Sequence, residues 1–368
     1  MKVAKIFILI FTFIFIFSIL AYGDEEGKAI REIKFLMKKG LYENALVRAN
    51  FYLEREPKSL RVRKLKIDIL VELSQFDNAL KDYEIFIRYS KAKTENIKIL
   101  SQILVPYLKA LKNYSLTPTQ KRKLYSMLCE IKDGETIREL KEIYSFSPDR
   151  TFKIWAASLL SQLGKKGYIA YLKKAAKFTD LTKEEKLYII FAFSGRESET
   201  LRKTLLFMLK REKDKEVIAY IYWALTKLGE DHRKELRTML NEVGDRIKGT
   251  VLFLLGELKD SRFTLDKKVE DELCLPSLYW AQYRKGNVSA INNLRKLISS
   301  SNKEVSLLSI FYIGLIGDKI SIPILRHKIV ESQDMDIKIA SISSIIRIIR
   351  KDRINTDIRI KVGFSITL

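Results

Sequence analysis

One unit, repeated about every thirty residues, constrains this chain more than any other feature. Its clearest copy is Glu304–Arg326 (EVSLLSIFYIGLIGDKISIPILR). Val305–Ile316 is apolar on every side, Gly317-Asp318 breaks it, and Ser321-Ile322-Pro323 opens a second helix. A helix with no polar face has to be sandwiched between neighbours, so one copy cannot fold alone. Similar breaks fall at Leu163-Gly164, Ser194-Gly195, Leu228-Gly229, Leu258-Lys259, Lys285-Gly286, Ile316-Gly317 and Ile349-Arg350, with spacings of 31, 34, 30, 27, 31 and 33 residues. Such periodicity marks stacked helical units that share one continuous core. The intervening helices, among them Arg202–Arg211 and Arg233–Leu240, carry Lys and Arg and keep one wet face.

The rest of the chain is equally helical in character. Only 6 prolines and 15 glycines interrupt 368 residues, and 47% of the residues are hydrophobic, enough for a large core. Lys39–Pro57 (KGLYENALVRANFYLEREP) sets a second pattern, in which Gly40 stops one helix, Ala45 allows close approach of the next and Pro57 ends it. A copy follows 34 residues on, with Phe76 matching Tyr42 and Ala79 matching Ala45; Ser74 stands for the glycine and Lys91 for the proline. Ile97–Leu111 reads as a helix closing this first array. Asn113–Pro118 is a polar break, and Thr117-Pro118-Thr119-Gln120 has the form of a capping box with proline at the first helical position. Helices to about Ile131 and over Glu135–Tyr144 follow, and match neither pattern.

The 34-residue units resemble tetratricopeptide repeats. The later units resemble short bacterial HEAT repeats of the armadillo type, also seen in phycobilisome-lyase-like proteins. That second resemblance rests on Phe152–Ala157, Glu216–Ala219, Asp336–Ala340 and, best, Glu304-Val305 with Ile316-Gly317-Asp318. Lys259 and Arg350 depart from it where glycine is usual, and the unit around Pro276–Gly286 is short. Together the resemblances imply an all-α, right-handed α-α superhelix, divided as 24–112 (tetratricopeptide-like with a capping helix), 113–147 (connecting helices) and 148–352 (HEAT-like). They imply a binding scaffold with an extended concave surface, and identify fold better than function.

Two end segments stand apart. Lys2 and Lys5 precede the apolar run Ile6–Leu20, and Ala21-Tyr22-Gly23 offers a cut before Asp24. Residues 1–23 thus have the three-part form of a secretory signal peptide, with an uncleaved membrane anchor as the alternative. Either way the rest of the chain is expected in the periplasm or associated with the cell envelope. Residues 353–368 end in an alternating run (Ile358, Ile360, Val362, Phe364, Ile366) with a strand period, read as a tail, a cap or a strand for a partner's sheet.

Catalytic signatures are absent. His232 and His327 each lie far from any second histidine, and no phosphate-binding, nucleophile-elbow or metalloprotease motif occurs. Trp155, Trp223 and Trp280 occupy equivalent repeat positions and read as packing residues. Cys129 and Cys274 read as small core residues rather than a redox pair. The chain is therefore expected not to be an enzyme and to need no cofactor or metal, and no catalytic, cofactor or metal residue is assigned. Lys and Arg total 68 against 45 Asp and Glu, a net charge of +23. An excess of that size attracts anionic partners. The expectation is protein–protein scaffolding; the alternative is binding of anionic envelope lipid or glycan. Nucleic acid is disfavoured, because no Arg-rich arm or aromatic–Arg interleaving occurs.

Overall fold

The computed structural model describes residues 25–90, 95–165, 167–196, 198–263 and 271–353. The segment read as a signal peptide, and all but the first residue of the C-terminal segment, lie outside the described residues. The described chain is an all-α solenoid in which successive helices are neighbours, with no strand. It divides into two compact units, Met1–Asn113 and Tyr114–Leu368.

In the first unit, α1 (25–38), α2 (Tyr42–Arg55), α3 (Leu60–Glu72), α4 (Phe76–Ser90) and α5 (Ile97–Ala110) pack in chain order. Ala45 and Ala79 are fully buried where α2 and α4 meet their neighbours, as their small size requires. Gly40 has φ 74°, a left-handed conformation that costs glycine little. Ser74 adopts φ 57° at the matching position without that freedom. Arg63 donates to Asp82 at 2.7 Å and to the Pro57 carbonyl at 2.8 Å, and Lys66 lies 2.9 Å from the same carboxylate. Phe76 stacks on Tyr107 at 4.8 Å, and the Tyr107 hydroxyl donates to Asp77.

The second unit contains α6 (Pro118–Glu130), α7 (Gly134–Phe146), α8 (Arg150–Gln162), α9 (Gly167–Ala175), α10 (Lys183–Phe193), α11 (Glu199–Arg211) and α12 (Lys215–Lys227). It continues through α13 (Arg233–Glu242), α14 (Asp245–Glu257), α15 (Leu275–Lys285), α16 (Ala290–Leu297), α17 (Lys303–Ile316), α18 (Ile322–Glu331) and α19 (Met335–Arg353). The capping box expected at Thr117/Gln120 forms before α6, and a second, Thr182/Glu185, opens α10.

Two layers result. Helices α8, α10, α12, α14, α15, α17 and α19 pack each against the next and are enclosed. In α8 every residue from Ile154 to Ser161 is buried, and in α10 every residue from Leu187 to Phe193. Helices α7, α9, α11, α13, α16 and α18 cover them and keep a polar outer face. Trp155, Trp223 and Trp280 are all buried in the inner layer, as packing residues should be. Burying a Trp removes about 150–250 Å² from water, a gross gain of roughly 4–6 kcal/mol at 25 cal/mol per Å². Both cysteines are buried, and neither is in a disulfide.

The inner helices run parallel. Gly249 faces Cys274 and Gly256 faces Trp280 and Ala281, so α14 and α15 keep one register along their length. A Cβ on Gly256 would lie 2.7 Å from Trp280 Nε1, so only glycine leaves room for that ring. Trp280 in turn stacks on Tyr312 at 5.4 Å, and the Tyr312 hydroxyl shares a hydrogen bond with Ser277.

Each repeat break has a common geometry where it ends an inner helix in the left-handed region. At Gly164, Gly229, Gly286 and Gly317 φ is positive. The next residue's N–H then reaches back five residues to a helix carbonyl, as from Glu230 to Leu225 or Asp318 to Ile313. This is the Schellman arrangement, which satisfies carbonyls a helix end would otherwise orphan. Lys259 makes the same turn at φ 52° with Asp260 bonding to Leu255. Two expected breaks differ. Ser194-Gly195 is a turn without positive φ, because Arg196 bonds back to Phe193 instead. Ile349-Arg350 is no break: α19 continues to Arg353, with Ile348 and Ile349 still buried.

Candidate interaction surface

The sequence pattern treats 113–147 as a connector, but α6 and α7 form the first helix pair of the second unit. Lys132 ends α6 at φ 59°, and Asp133 bonds back to Leu128, the same cap that closes α14. Lysine in place of glycine hides this unit from the sequence pattern. Residues Leu124 to Glu130 are all buried. Tyr125 lies 5.9 Å from Trp155 of α8, and Arg122 stands 2.9 Å from Glu184 of α10.

Helix α6 also meets α19, the last helix, more than 200 residues later. Near its start, Gln120 and Lys123 reach Asp336 at 3.3 and 3.5 Å. At its end, Arg347 binds Glu130 bidentately, at 2.9 and 2.5 Å. Arg350 donates to the Glu130 carbonyl, and the Arg347 guanidinium lies over the Phe311 ring at 5.2 Å. Start meets start and end meets end, so α6 and α19 run parallel like the other inner helices. The second unit is therefore closed: α6 follows α19 as α10 follows α8. The concave face expected of an open superhelix is lined here by closing contacts and aromatic packing, with Phe253 6.4 Å from Phe311 and 5.6 Å from Tyr312.

Charge is used systematically along the rim where the inner helices begin. Arg150 of α8 binds Glu185 at 2.9 Å, Lys186 reaches Glu212 at 2.8 Å, and Lys183 pairs with Asp214 and Glu216. Lys303 of α17 does the same to Asp334, just before α19, and to Asp336 within it. Burial raises the pKa of the Asp336 carboxyl, but Lys303, Lys123 and Gln120 outweigh it and hold it below its ordinary value. The same balance lowers Glu212, where Lys186 and backbone N–H groups oppose burial. Glu185 is lowered too, by Arg150, Thr182 and Thr151 against burial. At the other rim, Arg237 binds Asp260 and Arg295 binds Asp318, in both cases one residue past the left-handed cap.

The histidines differ from each other. His327 is exposed beside Glu331, whereas His232 is half-buried, stacked on Tyr222 at 5.1 Å and flanked by Glu230 and Glu235. Among the described residues no group of three or more His, Cys, Asp and Glu side chains is arranged to hold a metal ion. No described helix is long and apolar enough to cross a membrane. No protein-family model, curated protein or solved structure matches the chain.

Proposed function

We propose that the chain is an exported helical-repeat scaffold that binds other proteins in the cell envelope. The observation that carries this reading is on the first unit: Val47 and Phe51, one turn apart on α2, and Phe35 on α1 are large apolar side chains left exposed. Side chains of this kind grouped on a helix face mark protein contact sites. Arg48 and Arg55 lie over the Phe51 ring at 5.6 and 4.3 Å, framing it with charge. In this reading 24–112 are tetratricopeptide-like with a capping helix and 148–352 HEAT-like, residues 1–23 are an export signal or anchor, and the chain is not an enzyme. The Lys-apolar-small order of the N-terminal residues supports export.

The test is mild cross-linking in intact cells, purification of the tagged chain and mass spectrometry, which also reads the mature N-terminus. A stoichiometric protein partner, lost in a Val47→Glu/Phe51→Glu variant that still folds, is expected. Absence of any stoichiometric protein would sink the scaffold reading. A start at Met1 in a soluble fraction would sink export.

A further inference from the structure

The second unit carries a different surface on one edge. The outer helices α7, α9 and α11 run the same way, so their C-terminal ends share the edge at which α8, α10 and α12 begin. Arg150 at the start of α8 lies over Phe178, just past α9, at 5.9 Å. Lys186 of α10 meets Glu212, just past α11. Three large apolar rings emerge there: Phe146 is 82% exposed, Phe178 37% and Phe207 41%. Each lies within about one turn of an outer helix's C-terminus, a rise of roughly 5 Å.

At the same helix ends lie exposed Lys174, Lys177, Lys210, Arg211, Lys213 and Lys215. None of the six forms an ion pair with a described carboxylate, and Arg211 stacks on Phe207 at 5.0 Å. Five carboxylates of the edge are engaged from within: Asp180 and Glu185 by Arg150, Glu212 by Lys186, Asp214 and Glu216 by Lys183, while the exposed Asp149 caps α8 through the Phe152 N–H. The ladder that holds the inner helices together thus engages most of the negative charge of this edge, and the six outward basic groups outnumber what remains.

We propose that this edge docks on a bilayer surface rich in anionic phospholipid, the basic side chains meeting headgroups and the three Phe rings entering the interface. Five of the six basic residues are Lys, a mobile point charge suited to diffuse headgroup charge, rather than the planar Arg fork that reads nucleic-acid phosphate. Exposed Phe interleaved with Lys is what an interfacial surface requires, since apolar burial and electrostatic attraction act together. Each basic group near an anionic leaflet adds to the attraction. Four reversals should therefore weaken binding tenfold or more.

The test is flotation of the full chain with phosphatidylglycerol–phosphatidylcholine vesicles. Pure phosphatidylcholine vesicles measure any association through the apolar N-terminal stretch. Expected are binding that needs the anionic lipid and falls as salt rises, and a loss of tenfold or more in Lys174→Glu/Lys177→Glu/Lys210→Glu/Lys213→Glu. The same four changed to Gln should lose less, and Phe146→Ser/Phe207→Ser should bind more weakly with its charge intact. The matched control Lys34→Glu/Lys58→Glu/Lys234→Glu/Lys296→Glu should bind nearly as wild type. Equal binding to both vesicle types overturns the proposal, as does an equal loss in the control, which would assign binding to net charge alone. So does retained binding after the edge reversal, or binding to polyglutamate or nucleic acid in preference to vesicles. These outcomes are independent of whether the first unit has a protein partner.

Discussion

Closure of the second unit rests on a contact that can be removed from either side. Glu130 and Arg347 are nearly buried, with side chains 11% and 10% exposed. Glu130 is the last residue of α6, where a carboxylate opposes the helix dipole, so the arginine also offsets a local repulsion. Changing Glu130→Leu takes from the buried Arg347 guanidinium its bidentate carboxylate, and Arg347→Met leaves the Glu130 carboxylate buried without its arginine. Each should cost about 3–5 kcal/mol, the usual penalty for breaking a buried pair from one side. Replacing both with apolar groups, Glu130→Leu with Arg347→Met, removes both desolvation costs and should fall within about 1–2 kcal/mol of wild type. Urea unfolding of the four proteins completes the cycle, and the coupling energy should exceed about 2 kcal/mol. Hydrogen exchange should show α6 and α19 losing protection together in each single variant. Single variants each costing under about 1 kcal/mol, or effects that simply add, would refute the reasoning.

Three further outcomes follow from the same geometry. Lys132→Gly and Lys259→Gly relieve left-handed strain in non-glycine residues and should each stabilise by about 0.5–1 kcal/mol, read as a higher urea midpoint. Gly314→Ala would place a Cβ 2.9 Å from the Ser344 Cα, forcing α17 from α19 at a cost of about 1–3 kcal/mol, against near-neutrality for Gly195→Ala. Stability should fall in acid. Burial raises Asp336, Glu212 and Glu185, but their cationic and N–H partners hold all three below their ordinary values. Their contribution is complete above an ordinary carboxylate pKa of about 4 and is lost as pH drops through the lowered values, which thermal melts across that range would show.

Much of this architecture is legible in the residues. Gly164, Gly229, Gly286 and Gly317 mark inner-helix ends because a left-handed cap favours glycine. Leu187–Phe193 announces an enclosed helix because no face of it is polar. What escapes is what carries no local signature. Lys132 and Lys259 adopt the same cap against their preference, so the α6–α7 pair reads as a linker. Glu130 and Arg347 look like surface residues, because each is an ordinary charged residue near a helix end until a partner 217 positions away is known. The docking edge is hidden for a related reason. Phe146, Phe178 and Phe207 are scattered in sequence and share an edge only once the outer helices are parallel.

Closure also bears on how such a chain can change over time. An open array can gain or lose a unit and sacrifice only one nearest-neighbour interface. Here an added or deleted helix pair would move Arg347 away from Glu130 and Asp336 away from Lys123 at once. Duplication, the ordinary route by which repeat proteins lengthen, is blocked, and the number of inner helices is held constant by the meeting of the first with the last.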